Sequence, residues 1–246
     1  MLNSVESLKY CYQPLFSYAL KDYLTSKSSA KDLDRFYEQL VLNDDDFIGQ
    51  KQNRQLGFLP TFRKIQEYSH VCYKEVRYHH LLDHLCQLER KIRWIFIIRN
   101  PVDVMNSWIS SPREFHPQSN IDDELYSGSM KNAGRIENFY GLSQWISLTN
   151  VFHQLSSKYP DSVYIINYDE LKNEPFLQAK KLFEFCNLKV GEQTIDFIRD
   201  STSSTVEGTY SVFRDKAHEP EMQLNEKQVS LIKDLVSKAG LSAYLR

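Results

Sequence analysis

An α/β fold, with a parallel β-sheet flanked by helices, is predicted by three features of the chain. The first is WIFII (94–98), an unbroken apolar run that stops at Arg99, Asn100 and Pro101 and then turns amphipathic. Such a run reads as a strand buried on both faces of a parallel sheet, feeding a helix. The second is a shorter run of the same kind, VYII (163–166), again followed by a helical pattern. The third is a strand-like stretch at residues 70–76, an amphipathic helix at 78–91 carrying Leu81, Leu82, Leu85 and Leu88, and then the strand at Trp94. Together these read as a βαβ unit, whose crossover is right-handed and whose ligands collect at the carboxyl ends of the strands.

Taken in order, residues 4–24 have a helical character, with Leu8, Cys11, Leu15 and Tyr18 at spacings of three or four and a break at Pro14. Leu33, Phe36, Tyr37 and Leu40 form the apolar stripe of a helix after Ser28 and Ser29. The acidic run 43–46 lacks the alternating ligands, central Gly and terminal Glu of a calcium loop and reads as a solvated turn. Residues 46–56 read as a loop, and Phe58, Phe62 and Ile65 as a short helix. Residues 111–136 are polar, contain Pro112, Pro117, Gly128 and Gly134, and show no clear period, which suggests a substrate-facing segment. A long helix follows over 138–158, then a helix starting at Pro175, a short one over 191–199, an irregular stretch over 200–219, and a closing helix over 224–239. No repeat or low-complexity tract divides the chain, so one domain over 1–246 is expected.

The 246 residues suffice for one such domain with a sizeable core. A net charge of −2 gives no bulk attraction to nucleic acid or anionic membrane, so neither is expected as a partner. Cys11, Cys72, Cys86 and Cys186 are scattered, which fits reduced thiols and a cytoplasmic setting. No stretch reaches membrane-spanning length, and the opening residues lack a signal-peptide layout. His79, His80 and His84 share one helix but have no carboxylate or cysteine partners in a known pattern, so no metal site is assigned.

The chemistry concentrates after the strand at Trp94. Asn100 suits a helix cap and Pro101 the first helical position, leaving Arg99 at the strand's carboxyl end. Ser107 lies about two turns into the helix and can face back toward Arg99. A guanidinium, a hydroxyl and helix N–H groups around one crevice make an anion site. On spacing alone, Arg99 could equally pair with a surface carboxylate.

RNPVDVMNS (99–107) resembles the 3′-phosphate-binding motif of sulfotransferases that use 3′-phosphoadenosine 5′-phosphosulfate (PAPS): an Arg, an Asn/Asp-Pro, and a Ser eight residues after the Arg. YIINYDELKNEP (164–175) resembles the family's strand followed by Tyr-Glu-Asp-Leu, and YKEVR (73–77) its strand ending in Lys. The resemblance implies a nucleotide-binding-like α/β fold of the P-loop kind. It also implies transfer of a sulfuryl group from PAPS, leaving 3′-phosphoadenosine 5′-phosphate (PAP), to a hydroxyl or amine of a carbohydrate or small molecule. It implies that Arg99 and Ser107 hold the 3′-phosphate, that Tyr168 lies by the adenine, that Lys74 points at the sulfuryl or bridging oxygen, and that Arg214 closes over the nucleotide. Arg214 reads equally as a surface residue. The family's general base has no match: the place of the cytosolic enzymes' His is Val76, and Glu75 and Glu6 are near only in sequence.

One departure stands out. The family opens with a strand and a Gly-containing loop that cradles the 5′-phosphosulfate, and this chain has no Gly before Gly49. The first strand and that loop are therefore expected to be missing, leaving the strand at 70–76 short of a partner. The expectation is a chain shortened at its start, or a non-catalytic relative that only binds a 3′-phosphoadenosine nucleotide. A kinase-like enzyme is a third reading, disfavoured by the same missing loop.

Overall fold

The computed structural model describes residues 1–88, 91–203, 205–206, 211–213 and 221–245. Along the chain run β1 (Leu8–Tyr12), α1 (Ala30–Leu42), α2 (Asp46–Gly49), α3 (Lys51–Gln55), β2 (His70–Lys74), α4 (Leu82–Leu88), β3 (Trp94–Ile98) and α5 (Pro101–Ile109). There follow α6 (Ile121–Ser127), α7 (Ser129–Asn132), α8 (Leu142–Lys158), β4 (Val163–Asn167), α9 (Tyr168–Asn173), α10 (Pro175–Phe185), α11 (Glu192–Ser203) and α12 (Glu226–Lys238). Two compact units result, one from residues 1–90 and 174–218 and the other from 91–173 and 219–246.

In the first unit β1 and β2 pair in parallel, from Leu8 opposite His70 to Tyr12 opposite Lys74. This corrects the expectation of a helix over residues 4–24 and of a missing first strand. Leu8 and Cys11 are both buried in an extended segment, so their three-residue spacing mimics a helical stripe, while Tyr18 is fully exposed. Pro14 ends the strand where a further ladder N–H would be needed. Helix α1 is held by a reciprocal cap between Ser29 and Asp32 and buries Leu33, Phe36 and Leu40. Phe36 stands edge-on to Tyr73 of β2, ring centroids 5.5 Å apart.

Residues 59–65 do not form the short helix expected from Phe58, Phe62 and Ile65. The Lys64 ammonium instead donates to the carbonyls of Asn3, Val5 and Leu8 at 2.7, 2.8 and 2.6 Å, and Ile65 N–H donates to Glu6. All three ammonium donors are satisfied, so this segment is stitched to the strand entering the sheet. Residues 46–56 are two short helices rather than a loop, the first capped by the Asp45 carboxylate on Ile48 N–H.

In the second unit β3 and β4 pair in parallel, from Trp94 opposite Val163 to Ile98 opposite Asn167. The βαβ unit expected around the helix after β2 is not closed by a ladder, since β2 pairs with β1 and β3 with β4. Nor is β3 buried on both faces: Trp94, Phe96 and Ile98 are buried, but Ile97 is 55% exposed. Its inner face carries Phe96 stacked on Phe152 of α8 at 4.1 Å. Val102, Met105 and Trp108 of α5 pack with Leu142, Ile232 and Val236. Asn106, also buried on α5, accepts from Gln223 N–H at 2.7 Å and donates to the Glu221 carbonyl at 3.0 Å, which pins the helix to the segment before α12.

Residues 111–136, expected to be irregular, contain α6 and α7. Asn120 caps α6 through Asp122 N–H, and the buried Glu124 accepts from Ser129 Oγ and Met130 N–H at the start of α7. Polar side chains bonding to nearby backbone give these short helices their ends without any apolar period to announce them. Gly128 and Gly141 then touch backbone to backbone. A Cβ on Gly141 would lie 2.7 Å from Gly128 N, and its φ of 93° and ψ of 160° fall in a region reserved for glycine.

All three tryptophans, Trp94, Trp108 and Trp145, belong to this second unit, so tryptophan fluorescence reports on it. Gly141→Ala is expected to lower its stability in urea by about 2–4 kcal/mol, from backbone strain and overlap together. Gly134→Ala, with φ of 67° and nothing within 4 Å of the added Cβ, should lose only about 1–2 kcal/mol. Equal losses would contradict the close approach.

Candidate functional site

The parallel register of β3 and β4 ends at Ile98 opposite Asn167, so Arg99 and Tyr168 leave the sheet side by side. Asn100 caps α5, its Oδ1 accepting from Val102 N–H at 2.9 Å, with Pro101 at the first helical position. Asn167 caps α9 in the same way, accepting from Asp169 N–H at 2.9 Å. Two capped helices thus start at one strand end.

Arg99 is the centre of the charges here. Its Cζ lies 5.1 Å from the centroid of the Tyr168 ring, a cation–π distance. One guanidinium nitrogen, Nη2, is 3.6 Å from Asp103 Oδ2, one helical turn on, too long for a hydrogen bond. Nε is buried and has no hydrogen-bond partner among the described residues. A buried donor left unpaired is costly, and here it sits on a cation whose ion pair with Asp103 is loose. Asp169 joins the cluster: burial pushes its carboxyl above the ordinary carboxylate range, Asp103 adds to the rise, and Arg99 and Lys172 oppose it. Ser107 lies one turn beyond Asp103 on the same stripe of α5 and is exposed. Asp103 was not singled out in the sequence, although its place four residues after Arg99 is the signal that finds it.

In the first unit Tyr12 and Lys74 are the last matched pair of β1 and β2. The Lys74 ammonium stands 5.4 Å from the Tyr12 ring centroid, and the surrounding protein lowers its pKa by desolvation even though part of the side chain reaches solvent. The turn after β1 is already filled. Gln13 is left-handed, at φ 41° and ψ 55°, and donates its N–H to the Lys74 carbonyl at 2.7 Å. Pro14 has no N–H, Leu15 N–H donates to Glu75 Oε1 at 2.8 Å, and Phe16 and Ser17 N–H donate back to the Gln13 carbonyl at 3.1 Å. Ser17 Oγ donates to the Pro14 carbonyl at 2.7 Å. A strand therefore precedes this turn, but its donors are engaged internally rather than arranged as a nest for an anion.

Of the residues singled out in the sequence, Arg99 and Tyr168 are brought together, and Ser107 stands on the helix that Arg99 leads into. Lys74 belongs to the first unit and is described within it. Arg214 lies outside the described residues. Glu6 forms an ion pair with Arg63 at 3.5 Å. His84 Nε2 lies 2.7 Å from the Ser28 carbonyl, and burial, helped by His80, drives His79 down to about 4, so its ring is neutral at pH 7.

A family model described as "Sulfotransferase domain" matches residues 21–230. The chain belongs to the sulfotransferase family. Among curated relatives, Sulfotransferase 1A1 of Bos taurus is 30% identical over 118 residues, covering 47% of this chain and 37% of the relative. Sulfotransferase 1A1 of Rattus norvegicus is 28% identical over 118 residues, covering 47% and 38%. The chain thus matches well under half the length of these relatives. The crystal structure of a sulfotransferase from Alicyclobacillus acidocaldarius superposes with a TM-score of 0.51 over 99% of this chain and 87% of that one, at 10% identity, a likeness of fold. Among the described residues no helix is long and apolar enough to cross a membrane.

The charge cluster carries its own test. Asp103→Asn removes the negative neighbour that raises Asp169 and strengthens the pull of Arg99 on it, so the Asp169 carboxyl should titrate at lower pH than in the wild type. Carboxyl 13C NMR reads this directly. An unchanged or higher midpoint would break the cluster as described.

Proposed function

We propose that this sulfotransferase uses PAPS as its sulfuryl donor and that Arg99 holds the 3′-phosphate. The observation that carries this reading is the buried, unbonded Nε of Arg99 beside the Tyr168 ring. A phosphate would supply the acceptor that Nε lacks, and could take two guanidinium N–H groups at once, at the expense of the loose contact with Asp103. Ser107 adds a hydroxyl from the same helix face, and Tyr168 offers an aromatic face for adenine. The 3′-phosphate is what separates PAPS from ordinary adenine nucleotides, so discrimination is assigned to this cluster. Lys74 is proposed to place its ammonium against the sulfuryl or bridging oxygen. Sulfuryl transfer, like phosphoryl transfer, needs mainly positioning and cationic stabilisation of the developing charge. The acceptor is proposed to be a hydroxyl or amine of a carbohydrate or small molecule.

A second reading is favoured by one observation, the filled turn after β1. Without N–H donors for the 5′-phosphosulfate, the chain would bind a 3′-phosphoadenosine nucleotide and transfer nothing.

Calorimetric titration with PAP and, in parallel, with adenosine 5′-phosphate tests the donor reading. PAP is expected to bind and the nucleotide lacking the 3′-phosphate to bind far more weakly. Arg99→Ala should weaken PAP by about 2–4 kcal/mol, the cost of removing one side of a buried charged hydrogen-bonded pair. Ser107→Ala should cost about 0.5–1.5 kcal/mol. Equal affinity of Arg99→Ala and wild type would overturn the assignment. Formation of PAP from PAPS with a panel of hydroxyl and amine acceptors separates enzyme from binder. If turnover is seen, Lys74→Ala should abolish most of it while leaving PAP affinity within about tenfold, and PAP binding without turnover would favour the second reading.

A further inference from the structure

Two buried side-chain oxygens at the carboxyl end of the β1–β2 pair have no hydrogen-bond partner among the described residues: Oε1 of Gln13 and Oε2 of Glu75. Both residues directly follow the last matched pair, Tyr12 and Lys74, and their backbones are already bound together. Gln13 N–H donates to the Lys74 carbonyl, and Leu15 N–H donates to the other carboxyl oxygen of Glu75, at 2.7 and 2.8 Å. The first residue beyond each strand thus places a buried, unsatisfied acceptor next to backbone that is bonded to the other strand's end. A single proton resolves both deficits.

We infer that Glu75 is a neutral carboxylic acid whose Oε2–H donates to the Gln13 side-chain carbonyl while Oε1 accepts from Leu15 N–H, a latch that fixes the turn after β1 to the end of β2. The charged and titratable surroundings agree. Arg77, from the chain after β2, is the cation that favours ionisation, and the Tyr73 hydroxyl is the titratable group facing it from β2 itself. The residues from β1 into the next turn, Gln13 to Phe16, carry no charge. Burial outweighs the Leu15 N–H and Arg77 and pushes the Glu75 carboxyl up to about 8, so the proton is held at pH 7. The latch makes Glu75 a positioning residue for the strand end that bears Lys74. That consequence for Lys74 rests on the role proposed above, whereas the latch does not.

A rival arrangement rotates the Gln13 amide so that its NH2 donates to an ionised Glu75. Glu75→Gln distinguishes them, because the glutamine NH2 reproduces the donor of the neutral acid and its oxygen still accepts from Leu15. For an acid whose folded pKa is raised, the folded state holds the proton that the unfolded state has lost between the two pKa values, so stability falls with rising pH across that window. The wild-type urea midpoint, followed by circular dichroism, is therefore expected to fall steadily relative to that of Glu75→Gln from about pH 4.5 to about 8 and to run parallel above it. Comparing the two proteins cancels the opposite slopes from His79, lowered to about 4, and Lys64, lowered to about 8. Infrared difference spectra of the wild type against Glu75→Gln at pH 7 should show the carbonyl band of a protonated acid. A midpoint difference independent of pH, absence of the acid band, or failure of Glu75→Gln to fold would each overturn the latch.

Discussion

The parallel register that ends at Ile98 opposite Asn167 is the constraint on which the second unit's chemistry depends. In a parallel pair both chains leave in the same direction, so the residues after the last ladder pair emerge as neighbours without further design. Arg99 meets Tyr168 for that reason, and both helices that begin there are capped by the asparagine that ends or follows the strand. A one-residue slip would turn Phe96 away from Phe152 and move Arg99 off the Tyr168 ring. The core therefore fixes the register, and the register fixes the cation. Asn106 completes the arrangement, since its two bonds to the segment 221–223 hold α5 at the angle its apolar face requires.

The first unit repeats the geometry with different chemistry. Tyr12 and Lys74 end its ladder, and the turn beyond Tyr12 keeps its backbone donors engaged with its own acceptors and with the end of β2. Two of the charged groups buried in this unit are held in distinct ways. Lys64 keeps its charge by giving three N–H bonds to three carbonyls, at a lowered pKa. Glu75 has one N–H donor and one partly offsetting cation, which is insufficient for an ionised carboxylate in a dry corner. Burial disfavours the charged form of both groups, and the supply of partners differs between them.

How much of this could be read in the sequence depended on whether the signal was local. The strand at Trp94, its cap at Asn100 and Pro101, the strand at Val163 and the helices with strong apolar stripes rest on short-range patterns and were legible. Leu8–Tyr12 was not, because a five-residue strand with Leu8 and Cys11 both buried offers spacings of three and shows no alternation. The partner that makes it a strand lies some 60 residues away in the chain. Helices α6 and α7 were hidden for a different reason, as their ends are set by Asn120 and Glu124 bonding to backbone rather than by an apolar face. At the site, Arg99 and Tyr168 are reached through motif resemblance and Asp103 through its spacing from Arg99, but the raised Asp169 carboxyl is seen only in the fold. Spacing could put a carboxylate one turn from the guanidinium, but not a second one near enough to feel the first.

The filled turn after β1 has its backbone donors engaged within the protein. A phosphate loop gains its affinity by aiming several unpaired N–H groups at one anion, and here Leu15, Phe16 and Ser17 have committed theirs to Glu75 and Gln13, while Pro14 has none. Releasing them would cost on the order of 1 kcal/mol for each exchanged bond, more where a buried acceptor is left behind. Arg99 in the second unit differs from this turn: in the donor reading proposed above, its Nε would gain a partner from the phosphate with no existing bond exchanged. In the proposed transfer, charge stabilisation would come from the Lys74 side chain rather than from the backbone of this turn. Lys74 ends β2 with an ammonium whose pKa the surrounding protein lowers by desolvation.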